Sequence, residues 1–228
     1  NLDQVQRDMD SSIARLSSGK RITRAADDAA GSAIAGRMES QIRGLNQSIR
    51  VAKDGQALVD TQEGALQEVT SILQRMRELA VQAGSGAVTN TDREYLDLEM
   101  TQLVAEIEAI NANTQFNDTA VLTGTQFSFY HDIDVTGTTV STVAANITVT
   151  SLGVGVSTKM VDISTFANVA SAAARIDTAL VSVAGIRANL GAVSKRFDHI
   201  VDNLTNVVAN TEAAKSRVED ADFAVETT

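Results

Sequence analysis

The chain has 228 residues, of which 43% are apolar and only 4% aromatic, and it contains no Pro, Trp or Cys. Its 29 acidic and 19 basic residues give a net charge of -10, which disfavours binding to nucleic acid and to anionic membrane surfaces because these partners are also negatively charged. The lack of Cys excludes disulfides, thiolate metal sites and Cys nucleophiles.

The first predicted element is a helix in the N-terminal segment. Its apolar residues follow steps of three and four and therefore share one helical face. They are Leu2, Val5, Met9, Ile13 and Leu16. The apolar pattern begins at the start of the sequence without a preceding capping residue, so we expect that the sequence starts inside a longer helix. Residues 17–31 interrupt the stripe with Ser, Gly and clustered charge, which predicts an ordered loop or short helical turns.

A long helix is predicted over residues 45–81, where apolar side chains recur at heptad spacing. Polar Gln56 and Glu63 occupy two of its expected seam positions. Gly55 and Gly64 lie inside this helix, and each costs about 1 kcal/mol relative to Ala. We therefore expect close backbone packing to offset both glycines.

Residues 84–91 are predicted to be a linker, and Thr91 with Asp92 and Glu94 resembles a capping box for the next helix. That helix has the most regular heptad pattern in the chain. Its apolar positions are Leu96, Met100, Leu103, Ile107 and Ile110.

The composition changes in residues 114–165, where Thr, Val, Ser and Gly dominate. The segments QFSFYHDIDV (126–135) and NITVTSLGV (146–154) carry β-branched and aromatic residues near period two, which predicts one or two hairpins. From residue 166 to about residue 225 the helical stripe returns, and an unbroken helix of that length would extend about 90 Å.

These elements predict a mainly α fold, an elongated antiparallel bundle of long helices with a small β-hairpin region from the middle of the chain. We divide the chain into an N-terminal arm of a helical core domain (1–118), a β-hairpin region (119–165) and the C-terminal helix of the core domain (166–228).

No motif for catalysis or cofactor binding is present: HExxH, GxSxG, the P-loop and GxGxxG are all absent. His131 lies in HDID, where a solvated strand or turn is the default interpretation, and His199 lies beside a helical seam position. Asp27 and Asp28 are adjacent and so do not face each other on a helix, which favours a structural role. We expect no enzyme, cofactor or metal site. We also see no signal peptide and no apolar run of membrane-spanning length.

Residues 15–38, RLSSGKRITRAADDAAGSAIAGRM, closely resemble the N-terminal signature of bacterial flagellin, RLSSGxRIxxAxDDAAGxAI. The signature-loop residues are Arg15, Ser18, Gly19, Arg21, Ile22, Asp27, Asp28, Ala29, Ala30 and Gly31. Further matching segments are GALQEVTSILQRMRELAVQA (64–83), TQFN (114–117), RANLGAVSKRF (187–197) and SRVEDADFA (216–224). The resemblance covers both helical arms, about three quarters of the chain, and leaves the hairpin region without a specific match.

The resemblance implies a structural subunit of the extracellular flagellar filament that serves motility and is exported by the flagellar type III system without a cleaved signal peptide. Its implied partners are other flagellin subunits, a flagellar export chaperone and the cap protein. Both terminal polymerisation helices look removed, so we expect this chain to be largely monomeric in solution. Outer domains are expected to be absent or vestigial, since the middle segment is short.

The resemblance also implies recognition by the vertebrate Toll-like receptor for flagellin. The corresponding residues are Gln74, Arg75, Leu79, Gln82 and Glu99. Arg75 and Glu99 offer charge-assisted hydrogen bonds around Leu79 as an apolar anchor. The other interpretation is that these residues only pack against filament neighbours.

Three other functions are less consistent with the sequence. A hook-filament junction protein shares flagellin-like termini, although its signature is weaker than DDAAGSAI and LQRMRELAVQ. A flagellin with an enzymatic insert is disfavoured by the short middle segment, and a generic coiled-coil adaptor does not explain the loop motif.

Overall fold

The fold was analysed in a computed structural model that describes residues 2–130, 139–155 and 161–221. The described part contains helices α1 (Leu2–Ser18), α2 (Ala29–Ala83), α3 (Asn90–Asn113) and α4 (Phe166–Glu219). Its strands are β1 (Gln115–Phe116), β2 (Thr119–Ala120), β3 (Ser128–Tyr130) and β4 (Thr139–Ser141), with β1 paired antiparallel to β2 and β3 paired to β4. The predicted mainly α fold with long helices and a small strand region is confirmed.

The described residues form two compact units. The end unit contains residues 2–52, 130 and 199–221, and the middle unit contains residues 53–129, 139–155 and 161–198. Helices α2 and α4 each contribute residues to both units. In the end unit, Ile42, Leu45 and Val208 form a small core, with Ile49 and Leu204 packed against it.

In the middle unit, α2 buries one continuous heptad stripe, and each residue of the stripe is no more than 2% exposed. The stripe consists of Val59, Gln62, Leu66, Val69, Leu73, Met76, Ala80 and Ala83. The helix predicted over residues 45–81 is therefore confirmed, and it begins earlier than predicted, at Ala29. The predicted loop is correspondingly shorter, because α1 continues to Ser18.

Helix α4 runs antiparallel to α2 in the middle unit, as three polar pairs show. Along α2, Gln56 Nε2 donates to Asp198 Oδ1 over 2.7 Å, Glu63 Oε1 accepts from Arg187 Nη2 over 2.7 Å, and Arg77 Nε lies 2.8 Å from Asp177 Oδ1. The residue numbers of the α4 partners decrease as those of the α2 residues increase, so the two helices run in opposite directions. Gln56 and Glu63 are thus cross-helix partners at the seam and not interruptions of the stripe.

The expectation of close packing at the two α2 glycines is confirmed for one of them. A Cβ on Gly55 would lie 2.6 Å from Cζ of Phe197, which is fully buried and packs edge-on against Phe129 with ring centroids 5.8 Å apart. A Cβ on Gly64 would meet nothing within 4 Å, so the prediction is wrong there. Gly55 leaves room for the Phe197 ring, whereas Gly64 faces open space.

The start of α3 is capped two residues before the predicted position. Thr89 is the N-cap: its Oγ1 accepts from Asp92 N over 3.2 Å, and Asp92 Oδ2 accepts from Thr89 N over 3.0 Å. The capping box predicted at Thr91 is therefore wrong. Thr91 already lies inside the first turn, and it is Thr89, with its extended backbone, that stands three residues before a carboxylate.

The buried stripe of α3 is also shifted from the predicted heptad. Its members are Arg93, Asp97, Met100, Val104, Ile107 and Asn111. Of the predicted positions, only Met100 and Ile107 are fully buried, while Leu96, Leu103 and Ile110 are half-buried. The shift arises because two charged side chains face inwards, where backbone groups satisfy them. Arg93 Nε donates to Ala83 O over 2.8 Å, and Asp97 Oδ1 accepts from Ile163 N over 3.1 Å.

The hairpin prediction is only partly confirmed. Asn117 and Asp118, with φ of 50° and 59°, form the two-residue turn between β1 and β2. The segment 146–154 forms only one isolated bridge, Thr123 to Asn146, and then turns, with Leu152 N donating to Thr148 O over 3.0 Å. Its alternating apolar residues are buried without pairing as a strand. Residues 131–135 of the other predicted segment lie outside the described residues, and His131 is among them.

Among the described residues, α4 is the one helix that is long and apolar enough to cross a membrane by length and composition alone. An 18-residue window of it reaches a mean hydropathy of 1.4, so the expectation that no such run exists was too strict. Packed helices of soluble proteins pass the same test, and this finding therefore assigns no membrane role. Only 28% of the window is buried, which leaves apolar α4 surface exposed in the single chain.

Candidate assembly and recognition surfaces

The loop between α1 and α2 is held by two adjacent carboxylates with separate tasks. Asp27 Oδ2 accepts from Thr23 Oγ1 over 2.9 Å, from Thr23 N over 3.1 Å and from Arg24 N over 2.9 Å. These hydrogen bonds, that of the Thr23 hydroxyl first, lower the pKa of Asp27. Asp28 Oδ1 accepts from Gly31 N over 2.8 Å at the start of α2, as an N-cap does. All four hydrogen bonds stabilise the loop and the first turn of α2, which agrees with the structural role that the sequence favoured for this pair.

Two glycines of the predicted signature have steric reasons to be glycine. Gly19 follows the end of α1 with a φ of 71°, and its N donates to Arg15 O over 2.8 Å, which closes the helix in a left-handed cap. A Cβ on Gly31 would lie 2.4 Å from Asp28 Oδ2 and 2.6 Å from Ile22 Cδ1. Ile22 is buried, and Asp28 is held in place by the hydrogen bond that it accepts from Gly31 N.

Within the end unit, the loop is fastened to the C-terminal part of α4. Arg21 Nη2 donates to Val218 O over 2.8 Å, and Arg21 N donates to Glu219 O over 2.7 Å. Lys20 Nζ pairs with Glu219 Oε1 over 2.6 Å, and Ala221 N donates to Gly19 O over 3.0 Å. The loop therefore joins segments that lie about 200 residues apart in sequence.

Helix α2 adds a second attachment to α4 beside this loop. Glu39 pairs with Lys215 of α4 and with Arg43 of α2, the latter over 2.8 Å. The Lys215 hydrogen bond, followed by that of Arg43, lowers the pKa of Glu39 to about 2. We call the five residues Lys20, Arg21, Glu39, Lys215 and Glu219 the loop clamp. Only Arg21 was singled out from the sequence, because partners so distant in sequence leave no local pattern.

The other predicted site lies in the middle unit, on the exposed sides of α2 and α3. Arg75 Nε donates to Glu99 Oε1 over 2.8 Å, and Arg75 Nη1 donates to Glu78 Oε2 over 3.1 Å. These two carboxylates, Glu99 first, raise the pKa of Arg75. The structure thus brings together the predicted charged pair. Glu78 was missed in the sequence, although its spacing of three from Arg75 is a usable helical signal.

The remaining predicted residues of this site divide between surface and interior. Gln74 and Gln82 are both exposed on α2. Gln82 lies on the same face as Arg75, because it is seven residues away, whereas the adjacent Gln74 lies about 100° around the helix from Arg75. Leu79 is fully buried in the bundle interior. It offers no surface to a partner in this structure, so an anchoring role for Leu79 would require the helices to open.

Among the described residues, no group of three His, Cys, Asp or Glu side chains could hold a metal ion. His199 is exposed on α4. The polar groups of the surfaces described above are arranged in ion pairs and caps, and this arrangement suits attachment between helices.

Comparisons with known proteins agree on one family. The model of the bacterial flagellin N-terminal helical region matches residues 1–127, and that of the C-terminal helical region matches residues 173–228. The flagellin of Halalkalibacterium halodurans is 41% identical over 227 residues, which is 99% of this chain and 81% of the relative. The flagellar filament 31.3 kDa core protein of Treponema maltophilum is 39% identical over 92% of this chain and 78% of its own length.

Solved structures show similar folds. The crystal structure of Bacillus cereus flagellin aligns with a TM-score of 0.60 at 30% identity, covering 73% of this chain and 94% of that chain. A putative flagellar hook-associated protein from Vibrio parahaemolyticus aligns with a TM-score of 0.73 but only 16% identity, over 85% of this chain and all of that chain. The second likeness concerns the fold alone.

Proposed function

The chain belongs to the bacterial flagellin family, a family of structural proteins, and from this we propose that it polymerises into a flagellar filament that serves motility. The observation that carries the proposal is the set of large apolar side chains that stay exposed on the long helices of a single chain. Val181 on α4 is 73% exposed, Leu98 on α3 is 64% exposed and Ile13 on α1 is 58% exposed. Such helices gain stability when a neighbour covers their exposed apolar surface.

On this proposal the chain acts outside the cell, at the bacterial flagellum, after export through the flagellar type III system. Its partners are other flagellin subunits in the filament, an export chaperone before secretion and the cap protein during assembly. Family membership supports these partners.

The polymerisation proposal is tested in a flagellin-deficient bacterium that expresses the full-length gene. We expect filaments in electron micrographs and restored swimming. A vector without the gene is the control. Secreted, folded chain without any filament would contradict the proposal.

The hook-filament junction alternative rests on the same fold. It is disfavoured because the hook-associated neighbour shares only 16% of its sequence with this chain, whereas the flagellin of Halalkalibacterium halodurans shares 41%. Expression in the flagellin-deficient bacterium distinguishes the two functions, because a junction protein would leave the cells without long filaments.

A second role is recognition by the vertebrate Toll-like receptor for flagellin. The ion pair of Arg75 with Glu99 supports it, because the pair holds a guanidinium and a carboxylate on a partly exposed surface, with exposed Gln82 on the same face of α2. A receptor that supplies polar groups can form charge-assisted hydrogen bonds to such a pre-arranged pair.

The receptor role is tested by measuring the affinity of the receptor ectodomain for the Arg75→Ala variant. We expect a loss of about tenfold or more, as is typical for a charged residue in an interface hot spot. Arg196→Ala is the matched control, because Arg196 is an exposed arginine on α4 and should leave the affinity unchanged. Equal affinity of the wild type and the Arg75→Ala variant would remove Arg75 from the site. Leu79→Ala is a poor test because it creates a cavity in the interior.

A further inference from the structure

An exposed stripe on α3 combines apolar and acidic side chains that have no partner among the described residues. Tyr95 is 67% exposed and Leu98 is 64% exposed, although both are large apolar residues. Glu94 is exposed and forms no ion pair or hydrogen bond within the described part of the chain. The three residues fall within an arc of about 100° around the helix axis, with Glu94 and Leu98 four residues apart on one face and Tyr95 beside them. We call Glu94, Tyr95 and Leu98 the α3 patch.

A groove on α4 is complementary to the α3 patch, because it combines an apolar lining with a basic side chain. It has a volume of about 370 Å³ and lies between α4 and the turn that precedes it in sequence. It is lined by Leu152, Gly153, Ser171, Ala174, Arg175 and Thr178. Arg175 is exposed and, among residues 2–130, 139–155 and 161–221, has no acidic partner. We call this set the α4 groove.

The patch and the groove lie on two helices that flank α2 on different sides in the middle unit. Arg75 of α2 reaches α3 through Glu99, and Arg77 of α2 reaches α4 through Asp177. Two residues along a helix are about 200° apart around its axis, so α3 and α4 flank α2 on different sides. A contact between two such unlike surfaces is heterologous, and it extends from copy to copy into an open filament when the rotation does not close a ring.

We propose that the α3 patch of one copy docks into the α4 groove of the next copy in the filament. Leu98 enters the groove beside Leu152 and Ala174, while the carboxylate of Glu94 pairs with the guanidinium of Arg175. The occupant is a second copy because one chain carries both halves of the contact, with an unpaired anion on one side and an unpaired cation on the other. The inference rests on the proposed filament function and assigns surfaces to it.

The test is seeded polymerisation of the full-length chain, with filament growth followed by light scattering. Glu94→Arg and Arg175→Glu should each slow growth about tenfold or more, since like charges then meet at the contact. The double variant Glu94→Arg/Arg175→Glu should recover most of the growth, because it restores opposite charges between copies. Leu98→Ser should also slow growth, and Leu98→Met should retain it.

Glu106→Arg is the matched control, because Glu106 is an exposed glutamate on the same helix about 120° away from Glu94. It should grow at the wild-type rate. Circular dichroism should show unchanged helicity in every variant, since the altered side chains are exposed.

The outcomes separate this contact from the filament function itself. If the wild-type chain forms no filament, the proposed function fails. If the wild type grows and both single charge reversals grow equally fast, the docking contact is wrong. Slow growth of both single variants without recovery in the double variant would overturn the Glu94 to Arg175 pairing.

Discussion

The two glycines of α2 form a matched pair of substitutions with opposite expected effects. Replacing either glycine by Ala removes a helix penalty of about 1 kcal/mol. At Gly64 nothing lies within 4 Å of the new Cβ, so the full gain should appear as higher stability. At Gly55 the new Cβ would lie 2.6 Å and 2.9 Å from two atoms of the Phe197 ring.

The Phe197 ring has little room to move away. It is fully buried and packs edge-on against Phe129, which itself would lie 3.2 Å from the Gly55 Cβ. Forcing an extra carbon into such a core typically costs about 1–3 kcal/mol. The Gly55→Ala variant should therefore be less stable than Gly64→Ala by about that amount, and no more stable than the wild type.

Urea unfolding followed by circular dichroism measures this difference as a shift of the unfolding midpoint at constant slope. The order of midpoints should be Gly64→Ala above the wild type, and the wild type equal to or above Gly55→Ala. A Gly55→Ala variant as stable as Gly64→Ala would refute the packing argument.

Three further predictions concern a helix cap, an ion pair and an arginine that bonds backbone carbonyls. Asp28→Ala should cost about 1 kcal/mol in urea unfolding because α2 loses its N-cap, while Asp28→Asn should cost less, and equal losses would contradict the cap. Glu39 has a folded pKa of about 2 against an ordinary value of 4.5, so the stability that it contributes is present above pH 4.5 and is lost as the pH falls through 2. The difference in unfolding free energy between wild type and Glu39→Gln should shrink over that range, and a constant difference would exclude the Lys215 pair as its cause. Arg93→Lys should speed hydrogen exchange in the α2–α3 turn, since one ammonium cannot replace the guanidinium that bonds two turn carbonyls over 2.8 Å and 3.0 Å, and unchanged exchange would contradict this role.

The sequence predicted the helices well because apolar spacing reports directly on a buried face. It failed where polar groups take buried positions. The stripe of α3 is displaced because Arg93 and Asp97 bond backbone groups of other segments, and no local pattern reveals those partners. For the same reason segment 146–154 was predicted as a strand, although its apolar residues are buried in turns.

The candidate surfaces likewise include some contacts that the sequence predicted and others that it could not predict. Arg75 and Glu99 were paired from the flagellin resemblance and not from local spacing, since they lie on two different helices, and the structure brings the two side chains together. The interior position of Leu79 could also have been read from the α2 stripe, since it lies three residues after buried Met76. The Lys20 to Glu219 contact could not, because only the folded chain brings together residues that lie 199 positions apart.

Electron microscopy of the purified full-length chain, seeded with short filament fragments, is the most direct test of the filament function. We expect long filaments that grow from the seeds, at a rate that depends on subunit concentration. A chain that keeps its helical circular dichroism but adds nothing to the seeds would contradict it.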